Sequence, residues 1–537
     1  MKNIINTILM ASLSAAMTAC IGNYEEINYD HYGPGSGDVL ADDYALGSAM
    51  NNLAGCVISP DVNTAQFTDC LLGGTMGGYF ADSQNTWTNT ISNYNPTDDW
   101  TRVFLKSDKV IPVLYTNYNA VKAISEQTGN PVPLAIAKII KVAAMHRITD
   151  TYGAIPYSKI GENGAITTPY DSQEQIYRKF FEELNEAITD LIANENEALV
   201  ATADYIYSGN VKKWIKFANS LKLRLAMRIV YANKELAQQM AEDAVKHEGG
   251  LITTNDDNAA WNYFVTSSNP IYTAVRYNTP AHEADGKTCL SGGDSHAAAD
   301  IICYMNGYND PRRAKYFTKS EWKDEEYVGM RRGIVIPSLT TIGHKYSGVN
   351  IEPTSALMWM NAAEVAFLRA EGKAVFNFNM GGEARDFYEE GIRLSFAQWG
   401  VDGVNDYLNE KGAPTVYNDP NNGENSYSEP LSTVSVAWPE GKGTEAIQEC
   451  IIIQKWIANW MIGHEAWSDH RRTGYPKLIP ATPEGNRSGG VVGNEGAFRM
   501  PYPRDEYVNN AANVSEAVAK YLGGRDNMGQ KVWWDAK

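Results

Sequence analysis

Apolar side chains recur along this chain at steps of three and four residues, the spacing that gathers them on one face of an α-helix. The clearest stripe is Ile176, Phe180, Leu184, Ala187 and Leu191. Ahead of it, Ser172 and Gln175 form an S-x-x-Q capping box that predicts where the helix begins. Leu134, Ala137, Ile140, Ala144 and Ile148 make a second stripe behind Pro131 and Pro133. Further helices are predicted near Asp42, from Trp100 towards Gln127, over Trp214–Tyr231, over Ala356–Phe376 and over Glu383–Gln398. In one of these, Ala362, Ala363, Ala366, Ala370 and Ala374 are small enough for close helix approach. Thr444 to Pro476 differs from the rest. Between Ile447 and Ile462 only Glu449 and Lys455 are charged, and apolar residues point all round, which predicts a buried central helix. Thr444 is its expected N-cap, and Gly474, Tyr475 and Pro476 stop it.

The polar segments between these stripes are long: Gly73–Asp99, Asn255–Pro280, Asp285–Gly293 and Asp402–Gly443. Loops of that length usually carry function. Arg332–Thr354 reads as an irregular or strand-like connection. Nothing alternates as βαβ, so the expectation is an all-α scaffold of helix pairs with long decorating loops and little strand. Lys212, Lys213, Lys216, Lys222, Arg224 and Arg228 along Trp214–Tyr231 and its approach predict a solvated charged face.

A 44% hydrophobic content supports a packed interior, and a net charge of −18 speaks against nucleic acid and anionic membrane surfaces as partners. Residues 1–19 read as a signal peptide, with Lys2 ahead of an apolar run too short to cross a bilayer. Met17-Thr18-Ala19-Cys20 resembles a bacterial lipobox, which implies a lipid on Cys20. Residues 20–41 would then be a tether and residues 42–537 a single domain. Cysteines stand at 20, 56, 70, 289, 303 and 450 with no C-x-x-C, so a thiolate zinc site is not expected. Cys56 and Cys70 leave a disulfide open, with buried free thiols the main expectation.

Signals of catalysis are weak. His464-Glu465 and His470 miss the H-E-x-x-H spacing and fall on different helix faces. Asp419-x-Asn421-x-Gly423 lacks the ligand set of a calcium loop. No nucleophile elbow, Walker loop or dinucleotide fingerprint occurs. The expectation is no enzyme, no cofactor and no metal.

Several motifs, read together, resemble one family. QKWIANWMIGHEAWSDHRRTGYPKL, ITDTYGAIPY (Ile148–Tyr157), DIICYMNGYNDPR (Asp300–Arg313), RMPYPRDEYVNNAANV (Arg499–Val514) and the closing DNMGQKVWWDAK are similar to segments of SusD/RagB outer-membrane lipoproteins. Ala363-x-x-x-Phe367 is similar to the small-then-aromatic packing of tetratricopeptide helices, although no 34-residue period is visible. The resemblance implies a tetratricopeptide-like fold. It also implies a lipid-anchored protein at the cell surface that captures an oligosaccharide for a SusC-like TonB-dependent transporter and acts as its lid. Arg471 and Arg472 would then be structural ion-pairing residues. A peptide-binding member of the family, a surface glycoside hydrolase and a purely structural lipoprotein are the rivals.

Sugar rings have apolar C–H faces and polar rims, so their sites need aromatic platforms beside short polar side chains. Among 13 Trp, those on apolar helices (Trp214, Trp456, Trp460) read as core. Trp87 in DSQNTWTN, with Asp82 and Asn85 beside it, is the leading ligand candidate. Trp261, Tyr263, Tyr272 and Tyr277 form a second group, Trp359 a third, and Asp43 and Asp69 are lesser polar candidates.

Overall fold

The computed structural model describes residues 43–97, 110–161, 167–262, 267–276, 293–323 and 326–537. Cys20 and its tether, the helix start expected at Trp100, Tyr263, Tyr277 and Cys289 lie outside the described residues. Long helices pack as pairs. These are α1 (Tyr44–Ala54) with α2 (Ile111–Thr128), α3 (Val132–Tyr152) with α4 (Gln173–Ala193), α5 (Val211–Arg228) with α6 (Lys234–Lys246), and α7 (Ala362–Phe376) with α8 (Ala384–Trp399). Neighbouring pairs also touch, α2 on α3 and α4 on α5. The expected all-α, tetratricopeptide-like scaffold is therefore present. Strand is confined, among the described residues, to β1 (Phe80–Asp82), β2 (Ala259–Trp261), β3 (Ser295–Ala297) and β4 (Leu357–Met360). Strand β1 pairs antiparallel with β3, and β2 with β4.

Local chemistry explains the helix starts. The Ser172 hydroxyl accepts from the Gln175 N–H and the Gln175 side chain accepts from the Ser172 N–H, closing the capping box on α4. Asn210, Asn233 and Asn361 each cap the helix they precede in the same one-sided way. The central apolar stretch departs from expectation. It forms two helices, α9 (Thr444–Ala458) and α10 (Gly463–Thr473), separated by a turn with Met461 at φ 79°. Gly443 rather than Thr444 is the residue ahead of α9. The break has a steric cause. Helix α10 starts against a wide π-helical turn, Gln66–Gly74, at backbone contact: a Cβ on Gly463 would lie 2.3 Å from the Gly73 carbonyl carbon, and one on Gly77 would lie 2.7 Å from the Gly463 oxygen. Only glycine fits there. A continuous helix would carry α10 away from this crossing.

Three of the family-like motifs, those holding Asp150, Glu465 to Arg472, and Trp534, meet in one buried knot of charge. Asp150, near the end of α3, accepts from Arg228 (2.5 Å), the Tyr177 hydroxyl (2.6 Å) and the Trp534 indole (2.7 Å). Arg228 also donates to Glu465, and Arg224 grips Glu364 with two bonds of 2.7 Å. Arg472 joins Glu371 to Asp469, which also takes Lys455. The expected solvated face on α5 is thus wrong at Lys222, Arg224 and Arg228, all buried. Their long side chains turn inward because α5 is covered by α4, α6 and α7. Arg472 is the ion-pairing residue the motif suggested. Arg471 is not: it donates to the carbonyls of Asp150 and Phe498. Burial alone would raise the Glu465 carboxyl, but Arg224 and Arg228 hold it well below the usual carboxylate range.

Cys56, Cys70, Cys303 and Cys450 are buried free thiols. Asp419 spends its carboxylate on the Tyr346 hydroxyl and the N–H groups of Asn421 and Asn425, a turn rather than a cation loop.

Candidate functional site

Strand β1 carries the chain out of the core. Phe80 and Ala81 are buried against β3, and Asp82 is buried beyond them, accepting from the Ser92 N–H (3.3 Å) and the Thr75 hydroxyl (3.3 Å). Burial pushes its carboxyl up to about 6 against those bonds. The loop that follows is pinned at both ends. Ser83 and Gln84 donate to the Gly293 carbonyl, while Asn93 donates to the carbonyls of Ile334 (3.0 Å) and Gly485 (2.7 Å). Arg487 adds a bond to the Thr88 carbonyl (3.0 Å).

Between the pins stand Asn85, Thr86, Trp87 and Thr88. Asn85 is exposed and accepts from the Leu339 N–H at 3.4 Å; Trp87 is half-buried, one side resting on the core. Leu339 opens a turn that runs to Lys345, where the ammonium lies 4.9 Å over the ring of half-buried Trp322. Two indoles thus flank one turn. Trp322 was missed from sequence because its setting, KSEWKDEEY, reads as charged surface; an aromatic in such a run was the available signal. Tyr272 is reached through Gly293. It lies on the short helix Pro270–Arg276 with the Arg276 guanidinium 4.8 Å over its ring, and Gly293 packs on the Val275 carbonyl one turn further on.

The remaining candidates sit elsewhere. Trp261, on β2, is buried edge-on to Tyr205 at 5.3 Å. Trp359 lies on β4 rather than at a helix start, buried against Phe217, with its carbonyl accepting from Arg224. Asp69 pairs with Arg147. Asp69 and Trp359 border an internal void of about 20 Å³, room for one water and no sugar. Asp43 is exposed ahead of α1, whose neighbours are α2, α3 and residues 201–203. Of the expected set, Asn85 and Trp87 share one loop with Asp82 buried at its root, and Tyr272 lies on the helix against which Gly293 packs. His464 places Nε2 2.7 Å from the Thr68 carbonyl and is a structural donor, as its spacing from His470 suggested.

Two further open clefts are lined by other residues. One, of about 440 Å³, sits between residues 427–431, 470–480 and 494–498; the other, of about 370 Å³, lies between residues 302–313, 326–329 and 415–418. Among the described residues no helix is long and apolar enough to cross a membrane, and no cluster of His, Cys, Asp and Glu is arranged to hold a metal ion.

Comparison with known proteins gives a consistent result. A family profile described as "SusD-like: Susd and RagB outer membrane lipoprotein" matches residues 26–535. A SusD homolog from Bacteroides uniformis is 62% identical, with TM-score 0.89 over 92% of this chain and 100% of its own. A homolog from Bacteroides thetaiotaomicron is 40% identical (TM-score 0.82, 92% and 99% covered). A chitin-binding SusD homolog from Flavobacterium johnsoniae is 36% identical (TM-score 0.81, 91% and 98% covered). No curated protein matches.

Proposed function

Because the chain belongs to the SusD-like family of outer membrane lipoproteins, we propose that it binds an oligosaccharide at the cell surface. Lipid on Cys20 would hold it to the outer membrane, and it would pass its ligand to a SusC-like TonB-dependent transporter, over which it closes as a lid. The observation that carries the sugar reading is the pair of half-buried indoles, Trp87 and Trp322, on either side of a turn bonded to Asn85. Each indole is packed on the core and partly exposed, Trp322 beneath the Lys345 ammonium, while Asn85, Thr86 and Thr88 supply short polar groups for hydroxyls. Such rings have few rotors to freeze, so their area converts well into affinity. Binding of this kind needs no catalytic group. The carboxylates of the knot, Asp150, Glu364, Glu371, Glu465 and Asp469, are committed to arginine and lysine rather than poised as an acid and a base.

Calorimetric titration of the full chain in detergent with a glycan panel, chito-oligosaccharides among them, tests the reading. One glycan class should bind, and Trp87→Ala should remove that binding. Silence towards every glycan, or hydrolysis of one of them, would overturn it in favour of peptide capture or glycosidase activity.

A further inference from the structure

The 440 Å³ cleft beside residues 531–537 is large enough for a sugar unit and is lined about equally by apolar and by polar or charged side chains. Tyr427, Leu478 and Phe498 are half-buried along its walls. Arg471 lies at its floor, nearly buried, its guanidinium 3.8 Å over the Trp467 ring. Every hydrogen bond that this guanidinium makes among the described residues ends on a neutral oxygen: the carbonyls of Trp467, Asp150 and Phe498 and the Ser468 hydroxyl. At the mouth, Lys477 is exposed and forms no ion pair among the described residues. The other two lysines are occupied: Lys531 with Asp535 at 3.1 Å, and Lys537 with Glu445 at 2.6 Å and the Thr473 carbonyl at 3.1 Å. One acid, Glu495, lines the cleft against these cations.

We propose that this cleft is a second ligand site, one that takes a sugar unit carrying a single carboxylate, with the ring against Phe498 and Tyr427 and the carboxylate between Lys477 and Arg471. A cation at the floor whose hydrogen bonds all end on neutral oxygens favours an anion. Burial holds the Arg471 guanidinium down to about 9, still charged at neutral pH, and a carboxylate beside it would raise it again. None of Asn85, Trp87 and Trp322 lines this cleft, so the proposal does not depend on the reading of the Trp87 face.

The test is calorimetric titration of the full chain with D-glucuronate at fixed ionic strength, with D-glucose and sodium sulfate as comparators. Glucuronate should bind at least about tenfold more tightly than glucose, and Lys477→Gln should weaken it about tenfold. The variant should melt with the wild type, because Lys477 is exposed. Trp87→Ala should leave glucuronate binding unchanged. Equal affinity for glucose, displacement by an equal concentration of sulfate, indifference to Lys477→Gln, or loss in Trp87→Ala would each overturn the proposal.

Discussion

The charged knot around Asp150 and the polar face around Trp87 are built from the same materials, polar side chains and tryptophans, yet they behave as opposites. In the knot every charge is buried and answered by another. Asp150 alone serves Arg228, Tyr177 and the Trp534 indole, and thereby ties α3, α4, α5 and the C-terminal arm together. At the Trp87 face the hydrogen bonds run to backbone carbonyls of Gly293, Ile334 and Gly485, while side-chain surface is left to solvent. One region spends its polar groups on the fold; the other holds them out. Tryptophan content alone therefore says nothing about binding: Trp534 and Trp87 differ in what surrounds them.

The contrast breaks most sharply in the knot. Arg228→Ala strands Asp150 and Glu465 without their shared cation, and breaking a buried pair from one side costs about 3–5 kcal/mol. Chemical denaturation should show that loss, or the variant should fail to accumulate. Trp87→Ala should do the reverse: glycan affinity falls at least about tenfold while the unfolding midpoint barely moves, since one side of the ring is already in solvent. A variant that both melts early and keeps its ligand would place Trp87 with the core instead.

Acid should act on the knot carboxylates and on Asp82 with opposite sign. Glu465 and Asp469 titrate below their ordinary values, 4.5 and 3.8, despite burial, through the cations beside them. Their contribution is complete above those values and is lost as pH falls through the lower folded ones. His296 and His464, held neutral mainly by burial, add an earlier loss that begins as pH drops below 6.5, where the unfolded chain takes up protons that the fold refuses. Melting temperature should therefore be flat above neutrality and fall in two stages on acidification. Asp82 runs the other way. Its folded value, about 6, lies above the ordinary 3.8, so its contribution is greatest below 3.8 and is lost as pH rises through 6. Asp82→Asn should consequently raise the melting temperature at pH 7 by about 2 °C, a small effect for a chain of this size, and should do nothing at pH 3.5. No change at either pH would mean that the hydrogen bonds from Ser92 and Thr75 already offset burial.

Periodicity revealed most of the scaffold because helix pairing rests on local rules. The stripe from Ile176 to Leu191, its Ser172–Gln175 cap and the alanine face of α7 are each complete within one stretch of chain. The knot was legible only in part: Arg472 followed from motif resemblance, whereas Arg224 and Arg228 looked solvated because their partners lie 135 to 237 residues away or at Asp150 on another helix. The same remoteness hid the break at Met461, whose cause is a glycine crossing with residues 73–77. At the candidate face, a polar setting picked out Trp87 as the leading ligand candidate, and the ring is half-buried there. A polar setting also picked out Trp261, which pairing with β4 buries. Strand pairing between distant segments leaves little local trace.

The glycine crossing of α10 over the Gln66–Gly74 turn has a consequence for the cost of capture. Two backbones in direct contact have no layer of side chains between them to slide or repack. The turn leads through Gly77 and Gly78 straight into β1 and the Trp87 loop, so that loop is mounted on a joint with almost no play. A platform so mounted surrenders little entropy when a ligand arrives. Most of the contact area should then appear as affinity, and the face should look the same empty as full.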